Sequence, residues 1–132
     1  MPMPHFTTVP LPAEPTVTAP DGSDVRVLAR LAGASMAHFE LAEGKTSRAV
    51  EHRTVEELWY VIAGQAQMWR SLGGQEEVSL LSSGCSLSIP LGTRFQFRSL
   101  GPGPFCAVGV TLPPWPGDGE AQAASGPWQP SL

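Results

Sequence analysis

From Val25 onward, apolar positions come in short runs separated by glycine and polar turns: VRVLARLA, ASMAHFELA, ELWYVIAG, AQMWRSL, EEVSLLSSG, CSLSIP, FQFRSL and FCAVGVTL. So many short runs at turn-like spacing predict antiparallel strands arranged as a sandwich or barrel. No segment keeps apolar residues at helical spacing for more than about two turns, so helix is expected to be scarce. In ELWYVIAG, strand alternation places Glu57, Trp59 and Val61 on one face and Leu58, Tyr60 and Ile62 on the other. Both faces are apolar, which predicts that each is covered, by a second sheet or by another subunit.

The two ends read differently. Pro2, Pro4, Pro10, Pro12, Pro15 and Pro20 keep the first segment out of helices and central strands, so residues 1–24 are expected to form an extended arm. Residues 25–112 then form the β-barrel. From Pro113 the chain reads PPWPGDGEAQAASGPWQPSL, too rich in proline, glycine and small residues for a strand or stable helix. Residues 113–132 are therefore expected to be an irregular tail, disordered or packed through Trp115 and Trp128 on the barrel or a partner subunit.

Composition narrows the function classes. A chain of 132 residues with 42% hydrophobic content supports one domain and one core. A net charge of −4, a pI near 5.2 and no basic cluster give no electrostatic footprint for nucleic acid. No apolar run approaches the roughly twenty residues of a membrane span, and MPMPHFTTVPLP lacks a secretory pattern, so a cytoplasmic location without membrane attachment is expected. Cys85 and Cys106 are too few for a disulfide framework or a cysteine zinc site and read as free buried thiols. A phosphate-binding loop, a dinucleotide fingerprint and a nucleophile elbow are absent, and Ser82-Ser83 has no histidine close in sequence.

The chemistry concentrates in two spaced motifs. GKTSRAVEHRTVEELWYVIAG places Gly44, His52, Glu57 and Gly64 in the register of the first cupin motif, G, five residues, H-x-H, three or four residues, E, six residues, G, with Val50 in the first histidine place. GCSLSIPLGTRFQFRS overlays the second motif through Gly84, Pro90 and Gly92, with Phe95 at the third histidine and Ser99 at the asparagine. Over roughly the middle two thirds of its length the chain thus resembles a small single-domain cupin. The resemblance implies an all-β jelly roll, the double-stranded β-helix. It also implies that His52 and Glu57 converge inside the barrel, and that a second copy pairs through a sheet edge or an exchanged N-terminal strand.

His52 and Glu57 are five positions apart, an odd offset that would put them on opposite faces of one straight strand, so they can meet only across a bend at RTVE. Valine and phenylalanine offer no lone pair, so the cupin ligand set carries over only as far as His52 and Glu57. No cofactor is therefore the leading expectation. A divalent metal held by His52, Glu57 and a third ligand from His38, Glu56 or Gln96, with dioxygenase or isomerase chemistry, is the alternative, although Gln96 should point away from the Phe95 and Phe97 face. Without metal, the carboxylate can orient the imidazole and favour its charged form, giving an acid–base pair for isomerisation, elimination, decarboxylation or cyclisation. A purely structural hydrogen bond closing the loop is the bland alternative.

Val50, Trp59, Met68, Phe95 and Phe97, with Trp69 nearby, are expected to line an aromatic cavity for a small molecule, in a catalytic site or in a non-catalytic sensing module. The competing expectation is that they fill the barrel. Arg94 is a candidate for holding a ligand anion at the rim. Arg94 and Arg98 have the alternative of surface salt bridges with Glu76 or Glu77.

Overall fold

Alternation in the sequence becomes two antiparallel sheets packed face to face. The computed structural model of the chain describes residues 6–132, so Pro2, Pro4 and His5 lie outside the described residues. Its strands are β1 (Val17–Thr18), β2 (Asp24–Arg30), β3 (Ser35–Leu41), β4 (Val50–His52), β5 (Glu56–Ala63), β6 (Gln65–Leu72), β7 (Gln75–Ser82), β8 (Ser86–Ile89), β9 (Arg94–Ser99), β10 (Phe105–Leu112) and β11 (Ala121–Ala123). One sheet, here sheet A, runs β1-β2-β3-β10-β5-β8, and sheet B runs β11-β4-β9-β6-β7. Strands far apart in sequence are neighbours, as in β3–β10–β5, and the described residues contain no helix. This is the expected all-β jelly roll.

The interior is aromatic. Trp59 stacks on Phe39 with ring centroids 5.2 Å apart, meets Phe97 edge-on at 5.2 Å and Phe95 at 6.3 Å, while Phe97 and Phe105 lie 5.8 Å apart. Val50, Met68, Leu41, Val61 and Ile89 close the same cluster. Gly109 makes the Phe39–Trp59 stack possible: a Cβ there would sit 2.5 Å from the Phe39 ring and 3.1 Å from Trp59. Gly64 turns the chain from β5 into β6 at a φ of 76°, and a side chain there would run into the Pro104 carbonyl, a local reason for the glycine that closes the first motif.

Two expectations change, and the arm gains a pairing at the sheet edge. Leu58, Tyr60 and Ile62 are 56%, 53% and 43% exposed, so only the Glu57–Trp59–Val61 face of β5 is covered within this chain. The segment before Val25 pairs with the sheet through β1, which joins β2 at Val17↔Val25 and Thr18↔Asp24. The segment after Pro113 also makes a strand. Short side chains let Ala121–Ala123 pair with β4 through Ala121↔His52 and Ala123↔Val50.

The tail lies on its own barrel. Gln96 turns away from Phe95 and Phe97, and its amide holds the backbone of Trp128: Gln96 Nε2 donates to the Trp128 carbonyl at 2.8 Å and Gln96 Oε1 accepts from Trp128 N at 3.1 Å. The Arg98 guanidinium stands 4.2 Å from the Trp128 ring centroid, a cation–π contact. The chain end adds Ser131 N to the Thr46 carbonyl and Thr46 N to Ser131 Oγ. This cover buries Gln96 on the outer face of β9, where alternation alone predicts exposure.

Candidate functional site

His52 ends β4 in sheet B and Glu57 sits at the start of β5 in sheet A, so the Arg53–Val55 bend carries the chain from one sheet to the other. The two side chains meet across the sandwich at the mouth of the barrel, with His52 Nδ1 3.8 Å from Glu57 Oε1. Both residues are buried, His52 at 6% and Glu57 at 4% exposure. Glu120 shapes the bend. Its carboxylate accepts from Thr54 N at 2.6 Å, Val55 N at 2.8 Å and Thr54 Oγ1 at 2.8 Å, tying the tail to the loop that brings His52 to Glu57.

Aromatic rings surround the pair. Phe95 stands edge-on to His52 at 5.2 Å from below, and Trp115 from the tail covers it at 5.1 Å. Trp59 Nε1 donates to Glu57 Oε2 at 2.5 Å. The backbone N of Trp115 donates to Ser35 Oγ, which in turn pairs with Thr111 Oγ1, and Thr111 faces Glu57 in the β10–β5 register. His52 Nδ1 is buried without a hydrogen-bond partner among the described residues.

Burial sets the charge states, and it reverses the expected charged imidazole. Loss of water raises the Glu57 carboxyl to about 7 despite the Trp59 hydrogen bond, with the nearby Asp21 carboxyl adding to the rise. The same loss lowers His52 to about 4, against the opposing charge of Glu120. Between those values the pair is a protonated carboxyl facing a neutral imidazole. Glu120 itself is pushed up by burial, but hydrogen bonds from Thr54 and Val55 and the nearby His52 outweigh that and leave it lowered and ionised. Two groups driven apart in this way have distinct acid and base roles.

The other candidates divide cleanly. Val50, Trp59, Met68, Phe95 and Phe97 do line the interior, but they pack on one another as a plug. Two surface grooves, of about 430 Å³ and about 460 Å³, lie on the outer face of sheet A, where Trp59 and Leu87 reach its wall, and at the β7–β8 seam. Arg94 stands on the outer face of β9 and pairs with Glu51 at 3.4 Å, so alternation removes it from the ligand-facing set. The expected arginine partners were also misplaced: Glu77 belongs to Arg70, and Arg98 takes Gln67 and Trp128. Trp69 is buried on the side of β6 opposite Met68, paired with Gln96.

A metal does not fit the donors present. Phe95 and Val50 occupy two ligand places. His38 lies on the outer face of β3 in register with Arg26, Gln96 holds Trp128, and Glu56 is exposed. Among the described residues no group of three His, Cys, Asp or Glu side chains is placed to hold an ion. Trp115 and Glu120 join the site without having been singled out for it. The two tail tryptophans were a legible signal, whereas nothing in PGDGEAQ distinguishes Glu120 from any surface acid.

The sheet order defines a small two-sheet jelly-roll barrel. No family model matches the chain, and no curated protein matches it. Solved structures do. Peruvianin-I, a cysteine peptidase from Thevetia peruviana latex, superposes with a TM-score of 0.70 at 16% identity over 85% of this chain and 72% of its own. KdgF from Halomonas sp. gives 0.62 at 16% identity over 76% and 87%. The oxalate decarboxylase of Bacillus subtilis, with Mn(II) centres, gives 0.63 at 17% identity over 74% of this chain and 27% of its own length. Identities this low establish the cupin-type fold. No helix among the described residues is long and apolar enough to cross a membrane.

Proposed function

We propose that the barrel mouth binds a small molecule and moves a proton on it without metal, Glu57 giving and His52 Nδ1 taking. The observation that supports this reading is the buried, unpartnered Nδ1 facing a carboxyl 3.8 Å away beneath an aromatic cover. A structural hydrogen bond alone would have closed that gap. Isomerisation or elimination needs only such a donor, such an acceptor and a held substrate. Because the deeper barrel is filled, the substrate takes the place of the Trp115 indole. Between Leu112 and Glu120, among the described residues, a single hydrogen bond, Trp115 N to Ser35 Oγ, ties the segment to the barrel, so it serves as the lid.

A thermal-shift screen of small cyclic alcohols and ketones tests this reading. A compound near one hundred times its Kd stabilises the fold by about 2.7 kcal/mol. The shift is expected to vanish in His52→Phe, and Trp115→Ala is expected to weaken binding by up to about tenfold, read by calorimetry. Hits unaffected by His52→Phe overturn it. The filled interior favours a second reading, a non-catalytic binding module, and hits that bind through His52 without turnover select it.

A homodimer is the proposed assembly, and the compartment proposed is the cytoplasm. Leu58, Tyr60, Val108 and Val110 form an apolar strip along the groove on the outer face of sheet A, and Phe6 at the start of the described arm is fully exposed. Two copies meeting at the groove bury the strip. Light scattering at micromolar concentration is expected to show twice the chain mass, and Leu58→Glu with Tyr60→Glu to shift it to monomer. A stable monomer of the unaltered chain contradicts this assembly.

A further inference from the structure

Each of the eight lysine and arginine side chains is engaged away from the His52–Glu57 pair or is exposed. Arg94 and Arg98 are engaged on the outer face of sheet B and Arg26 on the outer face of sheet A against Pro12 and Glu40, while Arg70, in register with Phe95, is held at the β7–β8 seam by Glu77, Ser79 and the Ser88 carbonyl. Arg48 reaches the backbone of Pro20 and Leu132. Arg30, Lys45 and Arg53 are exposed. Three carboxyl groups take the opposite course: Asp21, Glu57 and Glu120 are buried at 6%, 4% and 4% exposure. Glu120 is near enough to act on His52, and Asp21, which acts on Glu57, has Arg48 beside it.

We infer that the molecule taken up at this mouth carries an uncharged hydroxyl or enol on an apolar ring, and that carboxylates and phosphates are excluded. This rests on the reading of the mouth as a small-molecule site and names its substrate class. An anion entering there loses its water and can only accept, so it leaves His52 Nδ1 unpaired, and the ionised Glu120 beside His52 repels it. A hydroxyl both donates and accepts. Placed in the gap between His52 Nδ1 and Glu57 Oε1, it gives its hydrogen to the imidazole and takes one from the protonated carboxyl. Phe95 and the displaced Trp115 offer faces to the ring that bears it.

The matched probes 2-naphthol and 2-naphthoate, titrated into the intact protein at about pH 6, separate the possibilities, since only the second is ionised there. 2-Naphthol is expected to bind at least about a hundredfold more tightly. Glu120→Gln, which removes the ionised carboxylate beside His52 and keeps its shape, is expected to narrow that gap, whereas Glu57→Gln, already uncharged at this pH, is expected to leave it. Naphthoate binding as well as naphthol, or a gap that Glu120→Gln does not change, overturns the selectivity while leaving a small-molecule site in place. Failure of both probes together with a blank cyclic-alcohol screen removes the site itself.

Discussion

Trp59→Ala is expected to lower the melting temperature by roughly 10–20 °C, from a loss of about 3–5 kcal/mol. The indole touches four rings, those of Phe39, Phe95, Phe97 and Phe105, so its removal leaves a void that two facing sheets cannot both collapse to fill. It also takes away the one side-chain hydrogen bond that the buried Glu57 accepts among the described residues. Trp59→Phe separates the two effects. It keeps much of the packing and loses only the N–H, so the loss is expected to be about 1–2 kcal/mol. Because that N–H favours the ionised carboxyl, Glu57 is expected to titrate above 7 in this variant. Calorimetry and carboxyl-carbon NMR read the two outcomes. A change of less than about 1 kcal/mol in Trp59→Ala would show that the ring cluster does not hold the sandwich together.

The second large effect is in the dependence of stability on pH. Glu57 keeps its proton in the fold up to about 7, whereas the unfolded chain releases it near 4.5, so stability falls as pH rises across that window. His52 behaves oppositely. The unfolded chain takes up a proton near 6.5 and the folded one only at about 4, so stability falls as pH drops through that interval. Each effect amounts to something on the order of 3 kcal/mol, and where the windows overlap their slopes cancel. The pair's contribution to wild-type stability is therefore expected to be nearly flat in the overlap and to decline on either side. Glu57→Gln leaves only the histidine: stability should climb from pH 4 to 6.5 and exceed wild type above 7 by up to about 3 kcal/mol. His52→Phe leaves only the glutamate, with the reverse slope. Urea melts across pH decide it, and parallel profiles for all three proteins would mean that neither group is shifted by the fold.

Glu120 illustrates why the site was only partly readable. His52 and Glu57 were found because their spacing from Gly44 and Gly64 matches a known frame, and because an odd offset demands a bend. The residue that holds the bend is distant in sequence, in a stretch with no periodicity. Gln96 makes the same point from the other side. Alternation correctly turned it away from Phe95, but its burial comes from Trp128, 32 residues later, whose backbone it binds.

The amino-acid order by itself determined the strand class, the apolar face of β5 and the two motif frames, since those follow from period-two geometry and fixed local spacing, whereas the pairing of one histidine with one glutamate was implied by the resemblance those frames carry. Only the tertiary structure decided which second faces are covered, that the interior is filled, that the tail contributes a strand and a lid, and that the carboxyl and not the imidazole holds the proton. Those outcomes depend on long-range contacts and on the loss of water they impose. Neither a side chain's neighbours across the sandwich nor its desolvation is encoded in its immediate sequence.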